Sequence, residues 1–227
     1  VKLKPNFPEA HNNLGIILNK LGQREEAINS YNKAIEIKPD YSEAYNNLGN
    51  TFYELEQSEI AITNYNKAIE LKRDFSEAYN NRGNALKELG QYEEAITNYN
   101  KAIELNPNFI DWHNNLRNIL YRVEKYEETI ISCNKAIELN AINAEVYYYL
   151  GMALNKVRES GEAITSYRKA IELKPDYPEA HNNLGTALNE LGQYEEAITN
   201  YKKAIDRKPN SAETYSNLGI VTNELGK

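Results

Sequence analysis

SEAYNNRGNALKELGQYEEAITNYNKAIELNPNF, residues 76–109, is the stretch that decides the fold of this chain. Its first half places apolar or small residues at helical spacing, and its second half does so again. Gly90 lies between the halves, and glycine is the residue with which a helix most easily ends in a left-handed conformation. Pro107 follows the second half, and proline cannot continue a helix. The segment therefore predicts two helices joined by a short turn, each with one apolar stripe.

The rest of the chain repeats this 34-residue pattern without insertion or deletion. A single hairpin cannot bury both of its stripes, whereas stacked copies can, so we expect one continuous array over residues 1–227. The predicted complete repeats are 8–41, 42–75, 76–109, 110–143, 144–177 and 178–211. Residues 1–7 resemble the tail of a preceding repeat, and 212–227 predict only the first helix of a following one. Because neither end carries a capping helix, we expect the sequence to be a piece of a longer protein.

Several residue types recur together at fixed offsets within the period. In the central copy they are Tyr79, Gly83, Leu86, Ala95, Tyr99, Ala102 and Pro107. This pattern resembles the tetratricopeptide repeat (TPR) family, with Arg82 standing where leucine is usual. The resemblance implies an all-α fold, namely a right-handed TPR superhelix (an α-solenoid) of antiparallel helix hairpins, and a role in protein–protein interaction.

Composition narrows the classes of function. The net charge is −7 and the chain has no basic block, which disfavours nucleic acid and anionic membranes as partners. No apolar run is long enough to span a bilayer, and no signal peptide is recognisable. The lone cysteine, Cys133, excludes an internal disulfide and favours a reducing compartment, so we expect a cytoplasmic protein.

No set of residues predicts catalysis. His11, His113 and His181 all fall at the fourth position of a repeat, where other repeats have tyrosine, so we expect them to be packing residues. They are separated by whole repeats and cannot share a metal ion. Cys133 is expected to be a small buried residue. The chain also lacks a phosphate-binding glycine loop, and we therefore predict no enzyme activity, no metal and no cofactor.

Asparagine recurs where local helix propensity does not require it. The fifth and sixth positions give Asn12, Asn13, Asn46, Asn47, Asn80, Asn81, Asn114, Asn115, Asn182 and Asn183; the ninth gives Asn50, Asn84 and Asn118, and the last unit adds Asn217. In TPR proteins these positions face the concave groove, and a similar asparagine ladder is found in the TPR arm of O-GlcNAc transferase. A carboxamide donates and accepts, so such a row predicts contact with the backbone of a bound peptide. The alternative is that the asparagines only bridge neighbouring helices.

The predicted ligand is therefore a peptide segment of a partner protein. Tyr148, Tyr149 and Met152 would add a local apolar anchor to the groove. Because the second position of every repeat is acidic, we expect a neutral or basic segment rather than an acidic tail. Two other functions remain open: the chain could be the substrate-recruiting arm of a larger enzyme such as a glycosyltransferase, or a scaffold that associates weakly with itself through its ends.

Two further expectations concern local structure. At six of the seven junctions, Asp or Asn two residues before the first residue of a repeat, with an acid three residues later, predicts a capping box, for example Asp40 with Glu43 and Asn6 with Glu9. The junction before Ala144 is expected to lack a cap. The fourth repeat departs from the others because it has Arg117 at the eighth position and Cys133 in place of a tyrosine. The aromatic residues near it are expected to fill the missing volume: Trp112, Tyr121, Tyr147, Tyr148 and Tyr149.

Overall fold

The computed structural model describes residues 7–139 and 143–226, and this part of the chain is all-helical. Its helices are α1 Pro8–Lys20, α2 Arg24–Ile37, α3 Ser42–Glu54, α4 Ser58–Leu71, α5 Ser76–Glu88, α6 Tyr92–Leu105, α7 Ile110–Arg122, α8 Tyr126–Glu138, α9 Ala144–Lys156, α10 Ser160–Leu173, α11 Pro178–Glu190, α12 Tyr194–Arg207 and α13 Ala212–Leu225. Every odd-numbered helix begins at the first residue of a predicted repeat. The division of the sequence into repeats itself stays a prediction.

The helices form two compact units, which divide within α7 between Trp112 and His113. In unit 1, which ends at Trp112, each of the helices α1 to α5 packs against the next, and α3 also touches α1 and α5. In unit 2, which starts at His113, the helices α8 to α13 pack in the same manner, and α11 also touches α9 and α13. Each unit is therefore a stack of helix hairpins whose first helices lie side by side.

The turn inside a hairpin uses a left-handed residue, as the sequence predicts. Gly90 has a φ of 74°. Its amide donates to the Lys87 carbonyl at 3.0 Å, and the Gln91 amide donates to the Leu86 carbonyl at 2.9 Å. These two bonds satisfy carbonyl groups that the end of α5 would otherwise leave free. Gly22 and Gly192 have the same conformation at the equivalent positions.

Three hairpins make this turn without glycine. Glu56, Glu124 and Arg158 have φ values of 60°, 61° and 68°. A left-handed conformation costs an L-residue with a side chain about 1–2 kcal/mol. The backbone bonds are nevertheless retained, since the Lys125 amide donates to the Leu120 carbonyl at 2.9 Å. The repeat geometry therefore imposes the turn even where the residue does not favour it.

Replacing Glu124 with Gly is expected to raise the free energy of unfolding by about 1 kcal/mol, because it removes this backbone strain. Thermal unfolding should show the gain as a rise in melting temperature of about 2–4 °C. Glu128→Gly is the matched control, since it removes the same side chain inside α8, where glycine costs about 1 kcal/mol. Equal effects of the two substitutions would contradict strain at Glu124.

The predicted capping boxes are wrong for α3, α5 and α11. The N-cap residues of α3, α5 and α11 are Tyr41, Phe75 and Tyr177, and none of them makes a side-chain cap bond. Each of these three helices begins one residue later than a capping box with Asp at the N-cap would require. The junction expected to lack a cap has one, because the Asn143 side chain accepts a hydrogen bond from the Val146 amide at 2.9 Å. Asn6, the first predicted cap, lies outside the described residues.

Five hairpins are held together by a tyrosine of the second helix packed on a glycine of the first. A Cβ atom added to Gly83 would lie 2.8 Å from Cε1 of Tyr99, closer than packed atoms allow. Tyr99 itself is completely buried. The same contact recurs sixteen residues apart in four other hairpins: Gly15 with Tyr31, Gly49 with Tyr65, Gly151 with Tyr167 and Gly185 with Tyr201. The glycine therefore provides the space that the ring fills.

The fourth repeat reverses this arrangement. Arg117 stands at the glycine position and Cys133 at the tyrosine position, and both are completely buried. A side chain that starts at the glycine position enters the volume of the missing ring, so Arg117 fills it. That neighbouring aromatic residues also fill it stays a prediction; Tyr147, Tyr148 and Tyr149 pack against the apolar cluster that contains Cys133, whereas Trp112 stacks on Phe109, with ring centroids 4.4 Å apart.

This exchange puts a charge in the core. Nη2 of Arg117 donates to Oδ1 of Asn114, while Nε and Nη1 have no hydrogen-bond partner in the described part of the chain. Burial lowers the pKa of the guanidinium and raises the pKa of the Cys133 thiol to about 12. Cys133 is thus the small, buried residue that the sequence predicts.

Candidate functional site

Four of the five fifth-position asparagines are buried rather than open to a groove, and Asn114 is half-buried. Asn46 is only 2% exposed, and three others are also buried: Asn12, Asn80 and Asn182. At the sixth position the side chains are half-buried in most repeats: Asn47, Asn81, Asn115, Asn183 and Asn217. Asn13 is exposed. The two adjacent positions therefore differ in what they can offer a ligand.

In unit 1 the carboxamides connect one repeat to the next. Nδ2 of Asn47 donates to Oδ1 of Asn12 at 3.0 Å, and Nδ2 of Asn81 donates to Oδ1 of Asn46 at 3.2 Å. A second bond runs from Nδ2 of Asn81 to Oδ1 of Asn50 at 3.0 Å. Each bond joins first helices of neighbouring hairpins. The bridging alternative thus describes these side chains.

The second-position carboxylates belong to the same network, which sequence reasoning missed. Nδ2 of Asn46 donates to Oε1 of Glu77 at 3.3 Å in unit 1, and Nδ2 of Asn182 donates to Oε1 of Glu213 at 3.5 Å in unit 2. Both pairs are thirty-one residues apart. The signal that could have revealed them is this constant offset between a recurring asparagine and a recurring glutamate.

The ninth-position asparagines are bonded differently. The Tyr65 hydroxyl donates to Oδ1 of Asn50 and the Tyr99 hydroxyl to Oδ1 of Asn84, each at 2.8 Å. Because the oxygen is engaged by the tyrosine, the amide nitrogen must point the other way. Within the described residues Nδ2 of Asn50 and Nδ2 of Asn84 have no partner. The buried tyrosines therefore orient two amide groups with free donors.

In unit 2, Tyr148 and Tyr149 stand at the fifth and sixth positions, where most other repeats have asparagine. The Tyr149 hydroxyl accepts a bond from Nδ2 of Asn118 at 2.9 Å, and the Tyr148 hydroxyl accepts one from Nδ2 of Asn183 at 3.3 Å. Burial raises the pKa of Tyr148 to about 12, so its hydroxyl stays protonated at neutral pH. Further along, Nδ2 of Asn217 donates to Oδ1 of Asn182 at 3.3 Å.

The tyrosines of unit 2 form a connected aromatic cluster. The rings of Tyr148 and Tyr149 meet edge to face with centroids 5.9 Å apart. Tyr121 contacts Tyr149 at 6.2 Å, and Tyr177 contacts Tyr148 at 4.9 Å. Tyr148 and Tyr149 are half-buried, as is Met152. The three predicted anchor residues therefore lie on one helix, α9, and two of them are fixed by neighbouring rings.

Two of the three histidines are buried, as expected for packing residues. His113 and His181 are buried, and Nδ1 of His181 lies 3.0 Å from Oδ1 of Asn200. In residues 7–139 and 143–226 no group of three His, Cys, Asp or Glu side chains is arranged to hold a metal ion. Among the described helices, none combines the length and apolar composition needed to cross a membrane.

Comparison with known proteins agrees with this architecture. The family model described as tetratricopeptide repeat matches residues 76–109, and the model described as TPR repeat matches 15–56, 49–90, 160–189 and 185–226. No curated protein matches the chain.

Solved structures resemble it over most of its length. YrrB, described as a TPR protein with an unusual peptide-binding site, is 26% identical with a TM-score of 0.72, over 82% of this chain and 96% of YrrB. PilF of Pseudomonas aeruginosa is 22% identical with a TM-score of 0.73, over 92% of this chain and 95% of PilF. The C-terminal part of a TPR protein from Cytophaga hutchinsonii is 22% identical with a TM-score of 0.74, over 93% and 85%.

The similarities to PilF and to the Cytophaga hutchinsonii protein concern the fold alone. The repeated hairpins, the glycine–tyrosine contacts and the family models together confirm the predicted all-α fold class of TPR solenoids. The chain belongs to the tetratricopeptide repeat family.

Proposed function

We propose that this TPR scaffold is a non-catalytic protein-interaction module whose first-helix surface binds an extended peptide segment of a partner protein. The family supports protein binding in general. Peptide binding is supported by the free amide donors of Asn50 and Asn84 and, at 26% identity, by the similarity to YrrB with its peptide-binding site. The oriented ninth-position amides are the single observation that carries the proposal.

The donors suit a peptide backbone. Asn50 and Asn84 are one repeat apart, and neighbouring packed helices lie about 8–10 Å from each other. A peptide in the polyproline II conformation has three residues per turn and rises about 3.1 Å per residue, so its carbonyl groups three residues apart point the same way and could accept from both amides. The fifth- and sixth-position asparagines, being bonded to each other, would form the wall beside the peptide rather than its main contacts.

In unit 2 the proposed contacts are apolar. Tyr148 and Tyr149 are held by their hydroxyl bonds and by ring contacts, so a bound side chain would meet a rigid surface. Met152, one turn further along α9, would adapt to the shape of that side chain because its thioether is flexible. We propose that unit 2 supplies this apolar anchor.

The charge of the surface supports a neutral or basic ligand. Glu77 and Glu213 accept hydrogen bonds from asparagines, which are neutral and leave their charge uncompensated. Glu43 and Glu179 are partly compensated by Lys72 and Lys208, at 3.7 Å and 3.0 Å. Because this leaves the surface with uncompensated negative charge, an acidic tail would be repelled.

The chain provides a variant that tests the amide donors without breaking the fold. Thr186 takes the ninth position in the sixth repeat and still accepts a bond from the Tyr201 hydroxyl at 3.2 Å. Asn50→Thr with Asn84→Thr should therefore keep the tyrosine bonds and lose the two free amides. We expect peptide affinity to fall about tenfold, since two hydrogen bonds contribute about 0.5–1.5 kcal/mol each.

The measurement starts with peptides selected from a random twelve-residue display library on the full chain. The selected peptides are then titrated calorimetrically against wild type, the double variant and Asn100→Ala, which removes an exposed asparagine of α6. Neutral or basic peptides that bind wild type and Asn100→Ala alike support the proposal. Selection of acidic peptides, or equal affinity for the double variant, would reject it.

A further inference from the structure

In unit 1 a cleft lies where α4, α5 and α6 meet, on the side of α5 opposite to its asparagines. Its volume is about 320 Å³, and Ile62 and Leu86 form apolar parts of its wall. A helix turns by about 100° per residue, so the seventh and eleventh positions of α5 face away from the fifth, sixth and ninth. Arg82 and Leu86, which line the cleft, are therefore separated from the asparagine row by the helix itself.

Arg82 is the residue that distinguishes this cleft from the other repeats. The seventh position is leucine in all six other first helices: Leu14, Leu48, Leu116, Leu150, Leu184 and Leu218. In the third repeat a guanidinium takes the place of this apolar side chain. Its presence there is not required by the packing of the repeat.

The guanidinium is held firmly in one orientation. Nε donates to Oδ1 of Asn98 and Nη1 donates to Oδ1 of Asn66, both at 2.7 Å. Asn98 is fixed in turn, because its Nδ2 donates to the Glu94 carbonyl at 2.8 Å. The Tyr79 ring lies 5.4 Å from Cζ of Arg82. Two helices thus supply neutral oxygens that position the cation without neutralising it.

One nitrogen of Arg82 remains free for a ligand. Nη2 has no hydrogen-bond partner in the described part of the chain. Glu94 lines the same cleft, so its carboxylate would oppose a doubly charged group such as phosphate. A singly charged carboxylate can use the free nitrogen, and Ile62 and Leu86 offer contact to an aliphatic group beside it.

We propose that this cleft binds a carboxylate carried by a short branched aliphatic group. The C-terminal residue of a peptide and a free branched-chain acid both have this chemistry. N-acetyl-leucine represents the first source and 4-methylpentanoate the second. N-acetyl-leucine amide has the same aliphatic group without the charge and serves as the ligand control.

The test follows backbone amide shifts of the isotope-labelled full chain by NMR as each compound is added to about 20 mM, because a single charge-assisted contact gives weak binding. We expect saturable shifts at Asn66, Arg82 and Asn98 with at least one acid, and none with the amide. The tighter of the two acids identifies the source. Equal shifts with N-acetyl-leucine and its amide, or no shifts with either acid, would overturn the proposal. This test needs only the wild-type chain.

Arg82→Leu is the matched variant, because leucine is what the other repeats use at this position. It should keep or raise the melting temperature and lose acid binding at least tenfold. Glu94→Gln should tighten binding about twofold to threefold by removing a like charge. Unchanged acid binding by Arg82→Leu would show that the cation is not the binding group.

Discussion

Replacing Arg117 with Gly and Cys133 with Tyr in the same chain is expected to raise the free energy of unfolding by about 2 kcal/mol, within the range seen when buried charges give way to packed neutral groups. The pair of changes restores the glycine–tyrosine contact that five other hairpins have. It also removes a guanidinium whose Nε and Nη1 are buried without a partner among the residues that the structure describes. Urea unfolding monitored by circular dichroism measures the change.

The single variants provide the control for this prediction. Cys133→Tyr alone should destabilise the chain by about 1–3 kcal/mol, because the ring would compete with the Arg117 side chain for one volume. Arg117→Gly alone removes the charge and leaves a cavity, so its effect should be small. Additive effects of the two changes would mean that the side chains do not share this space.

Truncating Tyr99 to Ala is expected to have the largest effect, a loss of about 3–5 kcal/mol, because it empties the space beside Gly83. Tyr99 is completely buried, and its hydroxyl donates to Asn84. Tyr99→Phe separates the two contributions, since it keeps the ring and loses only the bond, for about 0.5–1.5 kcal/mol. The free energy of unfolding in urea distinguishes the variants.

Gly83→Val tests the same contact from the other helix. Its Cβ would lie within 2.8 Å of the Tyr99 ring, so we expect a loss of about 1–3 kcal/mol. Combined with Tyr99→Ala, the valine fills part of the cavity, and the double variant should be more stable than the sum of the single effects predicts. A strictly additive result would show that the glycine is not there to accommodate the ring.

The sequence predicts the framework well because the framework depends on periodic, local chemistry. The apolar spacing of the two halves, the turn at Gly90 and the burial of Cys133 and His181 all follow from position within one repeat. Such features need no knowledge of distant contacts. The first helix of each repeat begins at the first residue of the repeat pattern. Its apolar stripe then faces the second helix of the same hairpin and the helices of the next one.

Contacts between repeats are harder to predict. A carboxamide bonds equally well to a peptide or to a neighbouring side chain, so the sequence leaves both roles open for Asn46 and Asn81. The capping prediction fails because the residue three positions before the acid, Asp40 before α3, lies one residue ahead of the actual N-cap, Tyr41. The role of Arg117 depends on what stands sixteen residues later, and the side chain of Arg82 is positioned by asparagines of two other helices.

The bonds from Asn47 to Asn12 and from Asn81 to Asn46 also affect how unit 1 responds to force. They follow one edge of the stack, whereas the glycine–tyrosine contacts lie inside each hairpin. Opening the stack on the asparagine edge lengthens directional bonds that weaken steeply with distance and angle. Bending in the opposite sense leaves those bonds short. Unit 1 should therefore resist bending more strongly in the direction that opens the asparagine edge than in the opposite direction.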